Sequence, residues 1–153
     1  MDLSQILQPQ SILVPLREGS KEEIIRQLVD ALPLGDGGPT AREEVLKAVF
    51  EREKVMSTGI GRGVALPHGK CEAVPGLLAA VGITKNPVPY EAIDGKPCRI
   101  FVLLVANPRT THPHIQALAT LSKILNDPAR KSALETARNP ADVLAALGIP
   151  AAG

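Results

Sequence analysis

IFVLLVA (Ile100–Ala106) is an unbroken apolar run, and LLAAVGI (Leu77–Ile83) upstream is its counterpart. A strand with one wet face alternates apolar and polar residues. A run without polar interruption suits a strand covered on both faces. Two such strands call for helical layers on either side of a sheet. The flanking sequence supplies them. SILVPL (11–16) reads as a first strand. Ser20 and Glu23 have the spacing of a capping box, and Ile24, Ile25, Leu28, Val29 and Leu32 follow at helical spacing. PLGDGGP (33–39) ends that helix. Thr40 and Glu43 repeat the capping-box spacing ahead of Val45, Leu46, Val49 and Phe50. Towards the C-terminus, helices are predicted over about 113–126 and from Asp127-Pro128 and Asn139-Pro140, each with a cap residue followed by proline. The segment NPVPYEAIDGKP (86–97) is turn-rich and predicted to be exposed, and the tail 148–153 is predicted to fray.

The order β, α, α, several β, α, α, α predicts an α/β fold, a three-layer α/β/α sandwich with a mixed sheet, because helices do not separate the strands one by one. At 153 residues, with no internal repeat or long linker, the chain reads as one domain over 1–153. Hydrophobic residues make up 44% and charged residues 22%, the balance of a globular chain. Seventeen basic against sixteen acidic residues leave a net charge of +1, with no surplus to attract nucleic acid. Phe50, Tyr90 and Phe101 are the only aromatics, too few for base stacking. No apolar run approaches the roughly 20 residues that span a bilayer. MDLSQILQPQ has no basic or apolar leader region. Two cysteines make no disulfide framework, so a cytoplasmic protein with reduced thiols is expected.

The chemistry concentrates in STGIGRGVALPHGK (Ser57–Lys70). Gly59, Gly61 and Gly63 precede an apolar run that ends in Pro67-His68-Gly69. Histidine alone titrates near neutrality in its ordinary state, with a pKa of about 6.5. A proline before it and a glycine after it restrict where the imidazole points. This reads as a group-carrying histidine, with phosphoryl as the group. GIGRG is neither the dinucleotide fingerprint nor a P-loop, which weighs against a nucleotide site. A glycine turn can still offer backbone N–H groups to an anion, or serve only as a tight turn. Arg52 and Arg62 flank and enter that turn. Either can face an anion through its planar fork or stand as a solvated charge.

Two further histidines lie at the expected start of the 113–126 helix. Leu118, Leu121 and Leu125 share a stripe with His114, so His114 is predicted to face the core or a cleft and His112 the solvent. Zinc held by His68, Cys71, His112 and His114 is the rival chemistry. It is disfavoured because H-x-H on a helix splays the two rings, and no C-x-x-C or H-x-x-x-H pair occurs. Cys71 is expected to be a small hydrophobe near the site and Cys98 part of the sheet edge.

FEREKVMSTGIGRGVALPHGK (50–70), YEAIDGKP (90–97) and HPHIQALATLSKIL (112–125) together resemble the enzyme IIA domain of the bacterial phosphoenolpyruvate:sugar phosphotransferase system, of the fructose/mannitol type that includes the nitrogen-regulatory branch. The resemblance runs from about residue 5 to about 147. It implies that His68 accepts phosphate from the phosphocarrier protein HPr and passes it to a IIB domain, or serves as a phosphorylation signal read by a regulatory target protein. It implies that His114, in HIQAL, is the second active-site histidine and that Arg52, in R-E-K, is the active-site arginine. No metal or organic cofactor is implied, because donor and acceptor are both proteins. Gly59, Gly61, Gly63 and Arg62 are expected to cradle the phosphoryl group. Leu66, Ile60, Val64 and Met56 are candidates for the rim or support of the docking surface.

Overall fold

Among the described residues, five helices cover the two faces of one six-stranded mixed sheet. The structure is a computed structural model that describes residues 3–34, 38–55, 59–90 and 94–149. Strand β1 is Ile12–Leu16, followed by helices α1 (Lys21–Asp30) and α2 (Gly38–Val55). Three short strands come next: β2 (Gly59–Gly61), β3 (Val64–Ala65) and β4 (His68–Lys70). The long strands β5 (Leu77–Val88) and β6 (Cys98–Ala106) precede helices α3 (Thr111–Leu125), α4 (Pro128–Glu135) and α5 (Pro140–Ala146).

The strand order is β1-β5-β6-β3-β2, with β4 also pairing β6 beyond the end of β3. β5 and β6 run antiparallel, while β1 is parallel to β5 and both β3 and β4 are parallel to β6. The sheet is therefore mixed, with β6 in its middle. Successive side chains of a strand point to opposite faces, and the core divides accordingly. Ile100, Val102 and Leu104 of β6 pack with α3, α4 and α5, while Phe101, Leu103 and Val105 pack with α1 and α2. The uninterrupted run at 100–106 is explained by this double covering.

Caps set most helix ends. Ser20 accepts from the Glu23 N–H and its own N–H donates to the Glu23 carboxylate, both at 3.2 Å. Asp127 accepts from the Ala129 N–H at 3.0 Å, and Asn139 from the Asp142 N–H at 2.9 Å. The expected Thr40–Glu43 cap does not form, because α2 begins at Gly38 and Thr40 lies inside its first turn.

Three other expectations change. Asn86, Pro87, Pro89 and residues 94–97 are exposed as expected, but β5 continues to Val88, and Val88 and Tyr90 are buried. The Tyr90 ring meets Phe101 edge-on at 5.5 Å. Pro87 is accommodated because the β5–β6 register breaks between Ile83 and Val88. Cys98 opens the central strand, fully buried, rather than lying on an edge, and burial raises its thiol pKa to about 11. The tail does not fray at 148–149. Gly148, at φ 78°, and Ile149 close α5 through N–H bonds to Ala145 and Leu144, the paired bonds of a glycine C-cap. The rest of the tail lies outside the described residues. No helix among the described residues is long and apolar enough to cross a membrane.

Candidate functional site

Gly69 is the residue on which the site closes. A Cβ built there would lie 3.2 Å from the backbone of Ala48 and Val49. Any larger residue would push the α2 backbone back by a few tenths of an ångström, so glycine suits this close approach of α2 to β4. Arg52 follows Ala48 by one helical turn, so the same contact carries Arg52 to the strand's neighbourhood. A second contact fixes α2 from behind. Lys21 of α1 meets the Glu53 carboxylate at 2.9 Å and sits 4.8 Å from the Tyr90 ring centre.

β4 lies along one side of β6, with His68 opposite Leu104 and Lys70 opposite Ala106. On the other side of the strand, α3 begins after a 3-10 turn at Pro108–Thr110 whose first N–H, from Arg109, is capped by Asn107 at 3.0 Å. That start places His114, which is only 4% exposed, beside His68. The two imidazole centres are 5.9 Å apart, with their planes at 68°. Between α2, β4 and the first turns of α3 lies a cavity of about 360 Å³. Ala48 and Arg52 line it from α2, His68, Gly69 and Lys70 from β4, and Thr111, His114, Ile115 and Leu118 from α3.

His68 Nδ1 lies 2.9 Å from the Leu66 carbonyl oxygen. A carbonyl can only accept, so Nδ1 carries the proton and Nε2 holds the free lone pair. Burial pushes the His68 pKa below 6.5; the Leu66 hydrogen bond opposes that shift, the nearby Arg52 adds to it, and Glu53 opposes it. His114 is also pushed below 6.5, by burial first and then by His68 and Lys70. Both rings are therefore neutral at pH 7. The buried Nε2 of His114 has no hydrogen-bond partner among the described residues. Such a group costs about 1–3 kcal/mol unless a ligand or water completes it.

The structure thus brings together His68, His114 and Arg52, and leaves His112 exposed. It does not bring the glycine turn to them. Gly61, Arg62 and Gly63 have φ of 94°, 58° and 82°, and the Arg62 N–H donates to the Asp94 carboxylate at 3.0 Å. Gly59 pairs with Ala65, and Val64–Ala65 lies opposite Ile100–Phe101, the beginning of β6. His68 lies opposite Leu104, four residues along, a separation of roughly 13 Å at 3.3 Å per residue. Arg62 lines a different cavity, with Leu125, Pro128, Lys131 and Ser132. The expected cradle of Gly59, Gly61, Gly63 and Arg62 therefore gives way to a turn shaped around Asp94.

Val64 and Leu66 belong to the core rather than to a rim, although the Leu66 carbonyl orients the histidine. Met56 and the Ile60 side chain lie outside the described residues. Among the described residues, Ile115 and Val55 are the exposed large apolar side chains, at 59% and 82%. Among the described residues, no three His, Cys, Asp or Glu side chains gather to hold a metal ion, and Cys71 packs in the core under α1 and α2. Sequence reasoning missed Lys70, Thr111 and Ile115. Lys70 was detectable, since residues two apart in an extended strand share a side.

Comparison with known proteins identifies the family and the fold. The family described as "Phosphoenolpyruvate-dependent sugar phosphotransferase system, EIIA 2" matches residues 5–148. The nitrogen regulatory protein of Bradyrhizobium diazoefficiens is 27% identical over 99% of this chain and 98% of its own length. The fructose-specific EIIABC component of Bacillus subtilis is 32% identical over 88% of this chain, which spans only 21% of that relative. Among solved structures, the nitrogen regulatory protein IIA-Ntr of Neisseria meningitidis superposes with a TM-score of 0.85 at 29% identity, covering 94% of this chain and 97% of that one. The chain belongs to the EIIA 2 family of the phosphoenolpyruvate-dependent sugar phosphotransferase system.

Proposed function

We propose that the chain is a phosphoryl carrier that accepts the group from a phosphorylated HPr-type protein on Nε2 of His68 and passes it to a IIB domain. The observation that carries this is the engaged Nδ1 of His68, which leaves Nε2 as the nucleophile inside a cavity shared with Arg52 and His114. Nε2 attacks phosphorus in line. The new N–P bond forms as the donor's N–P bond breaks, and the donor imidazole leaves. His68 needs no general base, because burial keeps its ring neutral. Arg52 neutralises charge on the phosphoryl oxygens. His114, if protonated on Nε2, donates a hydrogen bond to one of them, which ends its unpaired state. Onward transfer reverses these roles. On this reading the chemistry needs no metal or organic cofactor, and the chain works in the cytoplasm, where its protein partners act.

A second reading is a phosphorylation-switched regulator, in which His68 in its two states is read by a target protein. It is favoured by the end-to-end likeness to the Bradyrhizobium nitrogen regulatory protein. Incubation with phosphoenolpyruvate, enzyme I and HPr, followed by intact mass, tests the shared step. Addition of a IIB domain then separates the readings. Rapid loss of the label to IIB supports carriage, and a stable label whose presence changes target binding supports signalling. A wild-type chain that gains no phosphoryl group contradicts both.

A further inference from the structure

We propose that Lys70 is a second cationic ligand of the phosphoryl group carried by His68, acting from the same strand. The inference rests on the reading of His68 as the phosphoryl acceptor. Lys70 follows His68 by two residues in β4, so both side chains leave the strand on one side, while Gly69 between them faces the backbone of α2. Lys70 lines the cavity together with His68, His114 and Arg52. It is exposed, so its flexible stem can bring the ammonium over the mouth of the cavity. Among the described residues its ammonium takes part in no ion pair, whereas Lys21, Arg99 and Lys131 each meet a carboxylate.

Charge balance gives the role. A phosphoryl group on imidazole nitrogen brings close to two negative charges at neutral pH. Before loading, burial pushes both His68 and His114 towards the neutral form, so neither ring brings a standing positive charge to the cavity. Arg52 and Lys70 are the two cationic side chains that line the cavity and can face that charge. The two cations differ in kind. Arg52 offers a planar fork that suits two oxygens at once, and Lys70 a mobile point charge. A mobile cation can follow the phosphoryl group during transfer, when phosphorus moves between nitrogens of two proteins.

The test compares wild type, Lys70→Met and Lys70→Arg with two donors, purified phospho-HPr and the small molecule phosphoramidate. Melting curves accompany the rates. Lys70→Met is expected to fold normally and to lose roughly tenfold in phosphorylation rate with both donors, within the range seen when one stabilising group is removed. Lys70→Arg is expected to stay within about twofold of wild type, because it keeps the charge. Equal rates for Lys70→Met and wild type with both donors overturn the proposal. A loss with phospho-HPr alone also overturns it, because Lys70 then contacts the partner protein rather than the phosphoryl group. If the wild type is labelled by neither donor, the reading of His68 fails and this proposal with it.

Discussion

Glycines lie against both ends of β6, and they serve different purposes there. At the beginning of β6, Gly61 and Gly63 supply positive φ on either side of Arg62, and the turn is pinned by an Asp94 carboxylate. At the far end, Gly69 has no unusual φ. It is needed because α2 backbone occupies the space a Cβ would fill. The first group is the more conspicuous in sequence, and it shapes a turn. The second is a single residue that brings Arg52 and a histidine strand into one cavity. Glycine density marks where the backbone bends, whereas reactive groups converge where two elements approach closely.

Perturbing the cavity end should have the larger effects. His114→Ala removes a buried ring from the cavity without removing the nucleophile. Phosphorylation of His68 should slow by about 10²–10³-fold, the cost of losing a well-placed stabiliser. Quench-flow with phospho-HPr measures it, and an unchanged rate would make His114 structural only. Gly69→Ala sets a methyl group against α2 backbone and should destabilise the fold by about 1–3 kcal/mol, as overpacking does. Transfer should fall with it, because Arg52 moves with the helix. A Gly69→Ala protein that melts and transfers like wild type would sink the close-approach argument.

The paired arginines give a sharper contrast. Arg52→Ala should lower the transfer rate by an amount of the order of tenfold or more, and Arg52→Lys by less, since the planar fork is what lysine lacks. Arg62→Ala should leave it unchanged, because Arg62 lines another cavity. Equal losses in both variants would extend the docking surface across the whole length of β6 and dissolve the distinction between its ends.

The smallest expected effect is on pH dependence. Both histidines have folded pKa values below 6.5, so the unfolded chain binds protons that the folded chain refuses. Their contribution to stability is complete above pH 6.5 and is lost as pH falls below it towards the folded values. The melting temperature should drop over that window, and the drop should shrink in a His68→Gln, His114→Gln protein. The labelling rate should hold from pH 8 down to 6.5 and fall only below it, as His68 gains its proton. A rate that falls already between pH 8 and 7 would show His68 titrating above its ordinary value.

Much of this was legible in the sequence. The apolar run 100–106 gave the doubly covered strand, and Ser20, Asp127 and Asn139 gave the helix starts. The Pro67-His68-Gly69 triplet and the Leu118, Leu121, Leu125 stripe pointed to His68 and His114. The rest depended on contacts between distant segments. Thr40 has the local signature of a cap, but α2 already begins at Gly38. Asn86-Pro87 reads as a turn, yet Val88 and Tyr90 find apolar partners across the sheet. The role of Gly69 appears only once α2, far away in sequence, lies on it.

The most direct test of the account is the identity of the modified nitrogen. The protein is phosphorylated by phospho-HPr with its histidines labelled with ¹⁵N, and NMR assigns the N–P bond. The Leu66 carbonyl engages Nδ1, so one phosphoryl group is expected on Nε2 of His68, and none on the His68→Ala protein. A phosphoryl group on Nδ1 of His68, on His114 or on His112 would contradict the account.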